Sequence, residues 1–365
     1  MRILVVGTGT IGQPLIKLFL TVRKALGIDE VIFHKHLPLL KDRGFIVGFI
    51  HEGAKLAVPS ESLDSFKKLL EGYHLEPDYT FTQALNRADI IIDCTDKGIA
   101  REFKKKYYEK TASKLGFIAQ GSEKGFGKPY ALNINDSALE PGKDQFLQVV
   151  SCNTHQVLVL LKTLALDPEN TGKLNYENLI RARFYLGRRA SDISQSESTV
   201  GVEVGEPTDP SYGSHQAADA VRVLRTLGDI NLDIHTAADT LNNPYMHTVY
   251  FSIMTRRFTT KEEVENLFRA NPLTAVTYRN TNNQTFSGGR DRGNYGRILN
   301  QTVVCLPSIE VLSGGHEVVG RCFTPQDGNA LLSSVAAVLW LKDSGIYKEL
   351  LADHFFRPPF LFDEV

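Results

Sequence analysis

The sequence predicts an α/β protein of two domains, and three observations lead to that fold class. A chain of 365 residues is longer than one ordinary hydrophobic core supports. Through about residue 150, short β-branched runs alternate with amphipathic stretches, as in a parallel sheet covered by helices. Beyond residue 150, longer runs of alternating apolar and polar residues favour antiparallel strands with one solvent-exposed face. We expect residues 1–150 to form the first domain, completed by a C-terminal helix at about 326–365, and residues 151–325 to form an α+β domain with a mainly antiparallel sheet.

Local patterns place the elements of both domains. Strands are predicted at Ile3–Val6, Val31–Phe33, Ala88–Asp93, Phe117–Gln120, Leu179–Leu186 and Thr248–Arg256. Helices are predicted at Ile11–Ala25, Leu63–Leu70 and Asn329–Leu341, and a Thr260/Glu263 capping box opens another that runs through Phe268. The segment Thr281–Gly296 is rich in Asn, Gly and Arg and therefore predicts a long surface loop.

The composition narrows the class of protein. A formal net charge of −1 provides no general basic field to hold nucleic acid. The longest apolar helical run, Val157–Leu166, is interrupted by Lys162 and is too short to span a membrane. Met1 leads directly into a predicted strand without a signal sequence, so we expect a cytoplasmic protein. Four cysteines without CxxC spacing indicate neither a disulfide framework nor a metal site.

A glycine motif predicts a nucleotide cofactor. Gly7, Gly9 and Gly12 follow a predicted strand and open a predicted helix, in the pattern GxGxxG. The first glycine permits a tight turn, the second lets the backbone approach a pyrophosphate, and the third lets helix and strand pack closely. The helix N-terminus, with Thr10 and Ile11, then faces the phosphates. This is the Rossmann dinucleotide fingerprint.

The end of the second strand bears on which dinucleotide is bound. The fingerprint expects a carboxylate there, whereas this chain has Lys35 between two histidines. A lysine would attract a 2′-phosphate, which favours NADP or use of both NADP and NAD; the alternative is a solvated lysine. Thr95, Gln120 and Gly121 follow later strands, where ligands collect in open α/β sheets.

A single thiol is the strongest candidate for covalent chemistry. Cys152 stands at the end of an apolar strand and at the start of a helical pattern. Unsatisfied N–H groups at a helix N-terminus lower the pKa of a cysteine and favour the nucleophilic thiolate. The alternative is an inert buried cysteine.

Several motifs occur together in one order along the chain. They are GTGTIG, IIDCT at 91–95, FIAQGSEKG at 117–125, VVSCNT at 149–154, GRRASD at 187–192, SH at 214–215, MH at 246–247 and GRxxN at 296–300. Together they resemble the archaeal class of glyceraldehyde-3-phosphate dehydrogenase, and the resemblance weakens after about Cys305. It implies a Rossmann domain, a catalytic domain built on an antiparallel sheet, a homotetramer, and use of NADP and NAD.

The resemblance also implies roles for individual residues. The family's nucleophile corresponds to Cys152, with Asn153 and Thr154 beside it at the substrate, and its general base corresponds to His247. His215 is the competing histidine, which we interpret as a substrate ligand.

Further positions correspond to ligand contacts in the family. Arg188 and Arg189 suit the substrate phosphate or the attacking inorganic phosphate, although a surface pair is the alternative. Asn300 corresponds to the asparagine that orients the nicotinamide amide, and Lys35 to a basic position near the adenosine ribose.

The implied reaction is the phosphorylating oxidation of glyceraldehyde 3-phosphate to 1,3-bisphosphoglycerate, through a thiohemiacetal and a thioester on Cys152. One departure matters, because His155 and Gln156 stand where the family usually has a threonine and a glycine. These residues could reshape the anion site or supply another donor. Two alternatives therefore stay open: a related dehydrogenase or acyl-phosphate reductase for another phosphorylated aldehyde, and a non-catalytic NADP-binding protein. Aspartate-semialdehyde dehydrogenase is a weaker resemblance.

Overall fold

The computed structural model describes residues 1–111, 114–190, 201–325 and 328–365. Within them the chain divides into two compact units. The first comprises Met1–Lys128, Glu140–Val149 and Ser334–His354, and the second comprises Pro129–Leu139, Val150–Ser333 and Phe355–Val365.

One sheet of eight strands organises the first part of the described chain. Its strands are β1 (Arg2–Val6), β2 (Glu30–His34), β3 (Lys55–Val58), β4 (Tyr79–Thr80), β5 (Ile90–Asp93), β6 (Gly116–Gln120), β7 (Lys128–Tyr130) and β8 (Phe146–Val149). Their order is β4-β3-β2-β1-β5-β6-β8-β7. Neighbours from β4 to β8 are parallel. The predicted Rossmann-like α/β class is confirmed.

Five helices lie between these strands in the sequence. They are α1 (Gly12–Val22), α2 (Arg43–His51), α3 (Leu63–Leu70), α4 (Phe81–Arg87) and α5 (Ile99–Lys106). The prediction of α3 is confirmed, whereas α1 ends three residues earlier than predicted. The predictions missed β3, β4 and β7, and β4 has only two residues, too few for a period to show.

A second sheet of six strands, counted over the described residues, organises the other unit. Its strands are β9 (Leu179–Arg189), β10 (Ile234–Leu241), β11 (His247–Thr255), β12 (Thr274–Thr277), β13 (Thr302–Leu312) and β14 (Glu317–Thr324), in the order β10-β9-β11-β14-β13-β12. The three central pairs are antiparallel. The two outer pairs are parallel, so the predicted antiparallel sheet is mixed at both edges.

The remaining helices follow in chain order. They are α6 (Cys152–Leu161), α7 (His215–Leu224), α8 (Lys261–Ala270), α9 (Asn282–Arg292), α10 (Leu331–Lys342) and α11 (Tyr347–Phe355). The capping box of α8 is confirmed, because the Thr260 hydroxyl accepts from the Glu263 N–H and the Glu263 carboxylate accepts from the Thr260 N–H. Across the described residues, every helix falls short of the length and apolar character that a membrane span requires.

Helix α6 runs through the core of the second unit. Its residues from Asn153 to Leu161 are all buried, and a π-helical turn, Lys162–Leu166, continues it. Apolar side chains of β9, β11 and α7 pack in the same core. A helix that is buried on every side has only its ends near solvent. Cys152, its first residue, keeps partial exposure.

The predicted loop at Thr281–Gly296 is wrong. Residues Asn282–Arg292 form α9, and its Thr285, Gly288 and Gly289 are buried. At Gly288 a Cβ would lie 2.7 Å from the Arg279 Nη1 and 3.3 Å from the Val365 Cγ1, so these side chains approach the helix closely at this glycine. Tertiary contacts have overridden a composition that does not favour a helix.

Candidate functional site

The glycine motif forms the tight turn that links β1 to α1. Gly7 has φ +92°, and a Cβ there would lie 2.9 Å from the carbonyl carbon and oxygen of Cys94. A Cβ on Gly12 would lie 2.1 Å from the Gly7 carbonyl oxygen. Around Gly9 no heavy atom lies within 4 Å of that position, so the turn is open at its centre. The Gln13 Nε2 donates to the Thr8 carbonyl at 2.9 Å, a hydrogen bond that links the first turn of α1 to the glycine turn.

A pocket of about 540 Å³ adjoins this turn, a size typical of ligand sites. It is lined by Gly7, Thr8, Gly9, His34, Lys35, His36, Cys94, Thr95, Asp96, Ile99, Glu102 and Phe103. The His34 Nε2 is buried and lacks a hydrogen-bond partner among the described residues, and burial lowers the pKa of His34 to about 3. An open glycine turn, a helix N-terminus and an unsatisfied ring nitrogen together fit a dinucleotide.

Lys35 lines the pocket but has a partner of its own. Its Nζ lies 2.6 Å from the Asp42 Oδ2, and both side chains are more than four-fifths buried. The ammonium also lies 5.7 Å from the centre of the Phe45 ring. Asp42 therefore offsets the positive charge that the sequence offers to a 2′-phosphate.

Hydrogen bonds to neighbouring side chains position Thr95 and Gln120, two of the other predicted cofactor residues. The Asp93 carboxylate accepts from the Thr95 N–H at 3.0 Å and from the Tyr108 hydroxyl at 2.5 Å, while burial raises the pKa of Asp93. The Gln120 Oε1 accepts from the Ser334 hydroxyl at 3.1 Å. In the described structure the Gln120 Nε2 has no hydrogen-bond partner. Gly121, with φ +73°, directly follows β6.

In the second unit, Cys152 is the first residue of α6. Ser151 precedes it in an extended conformation, so the helix begins at the thiol-bearing residue. The Sγ lies 3.8 Å from the Nε2 of His247, within hydrogen-bonding distance for sulfur. The Asn329 Nδ2 donates to the Cys152 carbonyl at 2.8 Å. The nucleophile predicted by resemblance thus meets the histidine predicted by resemblance.

His247 is positioned from its other side. It is the first residue of β11, and its Nδ1 accepts from the backbone N–H of Arg189 at 2.8 Å. The carbonyl of the preceding residue, Met246, accepts from the side-chain amides of Asn243 at 2.9 Å and of Asn282 at 3.2 Å. Main chain and two amides therefore orient the ring.

The two arginines do not form one fork. Successive residues of a strand point to opposite faces, which places Arg188 with the buried Leu186 and Arg189 on the other face. The Arg188 Nη2 donates to the Thr240 hydroxyl at 3.1 Å, while its Nε lacks a partner among the described residues. Arg189 is buried, and its Nη1 donates to the Tyr245 carbonyl at 3.1 Å. Arg188 and Arg189 thus lie on opposite faces of β9, and the anion-binding role predicted for them stays a prediction.

The residues that follow Cys152 have internal partners. The ring nitrogens of His155 lie 3.0 Å from the Ser151 carbonyl and 2.8 Å from the Ser333 hydroxyl, and burial lowers the pKa of His155 to about 4. The Gln156 Nε2 donates to the Thr302 hydroxyl at 3.0 Å. These side chains support the helix from within and are not available to an anion.

Asn153 and Thr154 are also buried. The Thr154 hydroxyl lies 2.8 Å from that of Ser151, and the Asn153 Oδ1 accepts from the Thr324 hydroxyl at 3.4 Å. Their backbone N–H groups lie in the first turn of α6, where helix donors lack partners within the helix.

The side chain of Asn300 pairs with backbone, and its predicted contact with the nicotinamide stays a prediction. Its Nδ2 donates to the Phe362 carbonyl and its Oδ1 accepts from the Phe362 N–H, both at 3.0 Å. It is fully buried, so this amide pairs with backbone. His215 is the first residue of α7, and Ser214 precedes it in an extended conformation without a side-chain capping hydrogen bond. Ser191 and Asp192 of the GRRASD motif lie outside the described residues.

Sequence reasoning missed Asn243, Asn282 and Asn329. All three act through side-chain amides on backbone carbonyls next to the thiol or the histidine. Asparagine near turns and helix starts is common for local reasons, so no signal distinguished them. In the described part of the chain, no cluster of three His, Cys, Asp or Glu side chains could hold a metal ion.

Comparison with known proteins identifies relatives. The chain is 25% identical to a glyceraldehyde-3-phosphate dehydrogenase of Pyrobaculum islandicum over 274 residues, 74% of this chain and 71% of that protein. The corresponding enzyme of Hyperthermus butylicus is 26% identical over 294 residues, 79% of this chain and 78% of that protein. That of Archaeoglobus fulgidus is 30% identical over 206 residues, 56% and 55% of the two chains. No protein-family model matches. The similarity that the motifs indicated is confirmed.

Proposed function

We propose that this chain, which is similar to the archaeal glyceraldehyde-3-phosphate dehydrogenases, is an NAD(P)-dependent, phosphorylating glyceraldehyde-3-phosphate dehydrogenase. One observation carries the proposal. A thiol at the first residue of a buried helix lies 3.8 Å from a histidine nitrogen, in a chain that also has a dinucleotide turn. Thioester chemistry needs an activated thiol, and the helix N-terminus favours its thiolate.

The first unit is proposed to hold the dinucleotide, and the second to carry the reacting thiol. Gly7, Gly9 and the N-terminus of α1, with Thr10, Ile11 and Gly12, would bind the pyrophosphate. Thr95, Gln120 and Gly121 would line the path toward the nicotinamide, and Lys35 would lie near the adenosine ribose. When bound, the oxidised nicotinamide accepts a hydride. Because Asp42 offsets Lys35, we propose use of both NADP and NAD.

Cys152 is proposed to attack the aldehyde carbon as a thiolate. Loss of hydride from the adduct leaves a thioester, and inorganic phosphate displaces the thiolate to give an acyl phosphate. Cysteine suits both steps because a thiolate is a good nucleophile and a good leaving group. Backbone N–H groups of Asn153 and Thr154 would stabilise negative oxygen at the helix N-terminus.

Arg188 and His215 are proposed to bind phosphate groups. The Arg188 Nε supports this role, since a buried guanidinium nitrogen without a partner among the described residues is suited to an anionic ligand. His215 begins α7, where the helix N-terminus favours negative charge. By resemblance, we propose a cytoplasmic homotetramer.

The test is reduction of NADP and of NAD by the purified protein with glyceraldehyde 3-phosphate, with and without inorganic phosphate or arsenate. We expect reduction that depends on the anion. Turnover without the anion would contradict the phosphorylating mechanism.

The same assay separates the other two functions. Turnover with another phosphorylated aldehyde alone would establish a different substrate. Binding of NADP without turnover of any aldehyde would support a non-catalytic protein. As a control, iodoacetamide should alkylate Cys152 before Cys94, Cys305 or Cys322.

A further inference from the structure

We propose that Asp93 and Tyr108 are positioning residues of the dinucleotide site, which fix Thr95 as a hydrogen-bond acceptor for a ribose hydroxyl and keep it from binding a phosphate. The juxtaposition that carries this inference is a buried carboxylate that binds both polar hydrogens of a residue lining the pocket. The inference rests on the proposed function, since it concerns the cofactor that the first unit is proposed to hold.

The first step concerns what Thr95 offers to a ligand. The Oδ1 of Asp93 accepts from the Thr95 backbone N–H at 3.0 Å and also from the Thr95 hydroxyl. A threonine has only these two polar hydrogens, so neither of them is left for a ligand. The lone pairs of its hydroxyl and carbonyl oxygens remain. Thr95 therefore contributes acceptors to the pocket.

The second step concerns the charge of Asp93, which is 1% exposed. Its other oxygen, Oδ2, accepts from the Tyr108 hydroxyl at 2.5 Å. Burial raises the pKa of Tyr108, so the phenol keeps its proton and remains a donor. Burial and the charge of Glu123 raise the pKa of Asp93, whereas the hydrogen bonds from Thr95 and Tyr108 lower it. Tyr108 therefore favours the carboxylate, the form that accepts from Thr95.

The third step concerns the next donor along the same loop. The backbone N–H of Gly98, just before α5, donates to the carboxylate of Glu123, which is 2% exposed. This carboxylate therefore takes the place that a helix N-terminus would otherwise offer to a phosphate. Asp96 and Glu102 line the same pocket and add two further carboxylates. The polar side chains that this loop and α5 bring to the pocket are thus acceptors.

The fourth step matches these acceptors to the ligand. A Cβ on Gly7 would lie 3.1 Å from the Thr95 nitrogen, so Thr95 adjoins the glycine turn that is proposed to bind the pyrophosphate. At neutral pH the pyrophosphate of a dinucleotide has only acceptors, whereas the ribose attached to each phosphate carries hydroxyl donors. An acceptor beside the pyrophosphate site is therefore suited to a ribose hydroxyl.

The test measures affinity for NAD by calorimetry in Thr95→Val, which removes the hydroxyl, and in Thr95→Ser, which keeps it. We expect Thr95→Val to weaken NAD by about threefold to tenfold, as for the loss of one hydrogen bond, and Thr95→Ser to stay within about twofold of wild type. Inorganic pyrophosphate, measured as a competitor, should bind equally to all three proteins. Unchanged NAD affinity in Thr95→Val, or an equal loss for pyrophosphate, would overturn the proposal.

ADP distinguishes the two riboses, because it carries only the ribose of the adenosine. A loss for both ADP and NAD in Thr95→Val would assign the hydroxyl to that ribose. A loss for NAD alone would assign it to the ribose of the nicotinamide. Either result supports the acceptor role.

Tyr108→Phe tests the positioning role, because it removes the donor to Asp93 and keeps the ring. Without that hydrogen bond the pKa of Asp93 rises, so the carboxylate gains a proton at higher pH and stops accepting from Thr95. We expect the NAD affinity of this variant to match wild type at high pH and, on acidification, to fall about one pH unit earlier. A loss of the same size at every pH would overturn the assignment of Tyr108.

These outcomes are separate from those of the proposed function. Wild-type protein that binds NAD but oxidises no aldehyde would contradict the proposed dehydrogenase, and the role of Thr95 would stand. Protein that oxidises the aldehyde while Thr95→Val binds NAD normally would overturn this inference alone. Wild-type protein that binds no dinucleotide would overturn both.

Discussion

The dinucleotide turn of the first unit and the thiol centre of the second are built in opposite ways. Six consecutive residues, Gly7 to Gly12, form the turn, and its glycine positions follow from their spacing in the sequence. Cys152 and His247 are 95 positions apart and meet only because α6 and β11 pack in one core. A site made of consecutive residues can therefore be predicted from a short motif, whereas a site made of two distant residues depends on the packing of the core.

His155 and His247 also differ in how their distance from Cys152 in the sequence relates to their contacts in the fold. His155 follows the thiol by three residues, yet both of its ring nitrogens are engaged in the interior. His247 is distant in sequence, yet its Nε2 lies against the sulfur. Nearness along the chain therefore indicates little about which imidazole contacts the thiol.

The largest expected effect comes from Cys152→Ser, which removes the thiol and spares the turn. A serine hydroxyl is a far weaker nucleophile and leaving group, so we expect NAD(P)H formation to fall by about 10⁴-fold or more. Dinucleotide affinity, measured by calorimetry, should stay within about twofold. A variant with normal turnover would show that Cys152 is not the nucleophile.

His155→Ala should lower stability and leave the chemistry largely intact. It removes two buried hydrogen bonds and creates a cavity, so we expect the free energy of unfolding to fall by about 2–4 kcal/mol. Turnover per folded molecule should change by less than about threefold. The matched variant His247→Asn should lose turnover and change the free energy of unfolding less. Severe loss of turnover in both variants would contradict the different roles assigned to the two histidines.

The pH dependence of stability should also reveal His155. Its pKa of about 4 in the folded protein lies below the ordinary value of 6.5, because burial disfavours the imidazolium. Stability is complete above pH 6.5 and falls as the pH drops toward 4, since only the unfolded chain binds the proton there. The loss approaches about 3 kcal/mol.

Denaturant unfolding at several pH values measures this loss, and His155→Gln is the control. His34, with a pKa of about 3, adds a similar effect, so the substitution should remove part of the slope and leave the rest. An unchanged slope would contradict the buried neutral state of His155.

The smallest effect concerns the choice of cofactor in the first unit. Lys35→Asp should weaken NADP by roughly 10–100-fold and NAD by far less, because a charged contact to the 2′-phosphate is lost. Asp42→Asn should improve NADP by about threefold to tenfold, since Lys35 would lose its offsetting charge. Equal effects of Lys35→Asp on the affinities for both dinucleotides would contradict a place for Lys35 near the adenosine ribose. As a control, the rate of Cys152 alkylation should be unchanged in both variants.

Much of the fold could be predicted, and the misses have physical causes. Strands β1, β2, β5 and β6 and helix α3 follow from period and caps. Helix α9 could not be predicted, because its two buried glycines, Gly288 and Gly289, have a low helix propensity and the composition therefore indicates a loop. Strands as short as β4 are formed by pairing with neighbours that lie far away in sequence.

By itself, the sequence determined the glycine turn, the thiol at a helix start and the similarity to archaeal dehydrogenases. Each depends on residues that are neighbours in the chain or on motifs in a fixed order. Only the tertiary structure decided that Asp42 offsets Lys35, that the Asn300 amide pairs with the Phe362 backbone, and that the Arg189 N–H donates to the Nδ1 of His247. Those outcomes depend on which donors and acceptors burial brings within about 3 Å, and sequence spacing does not encode that distance.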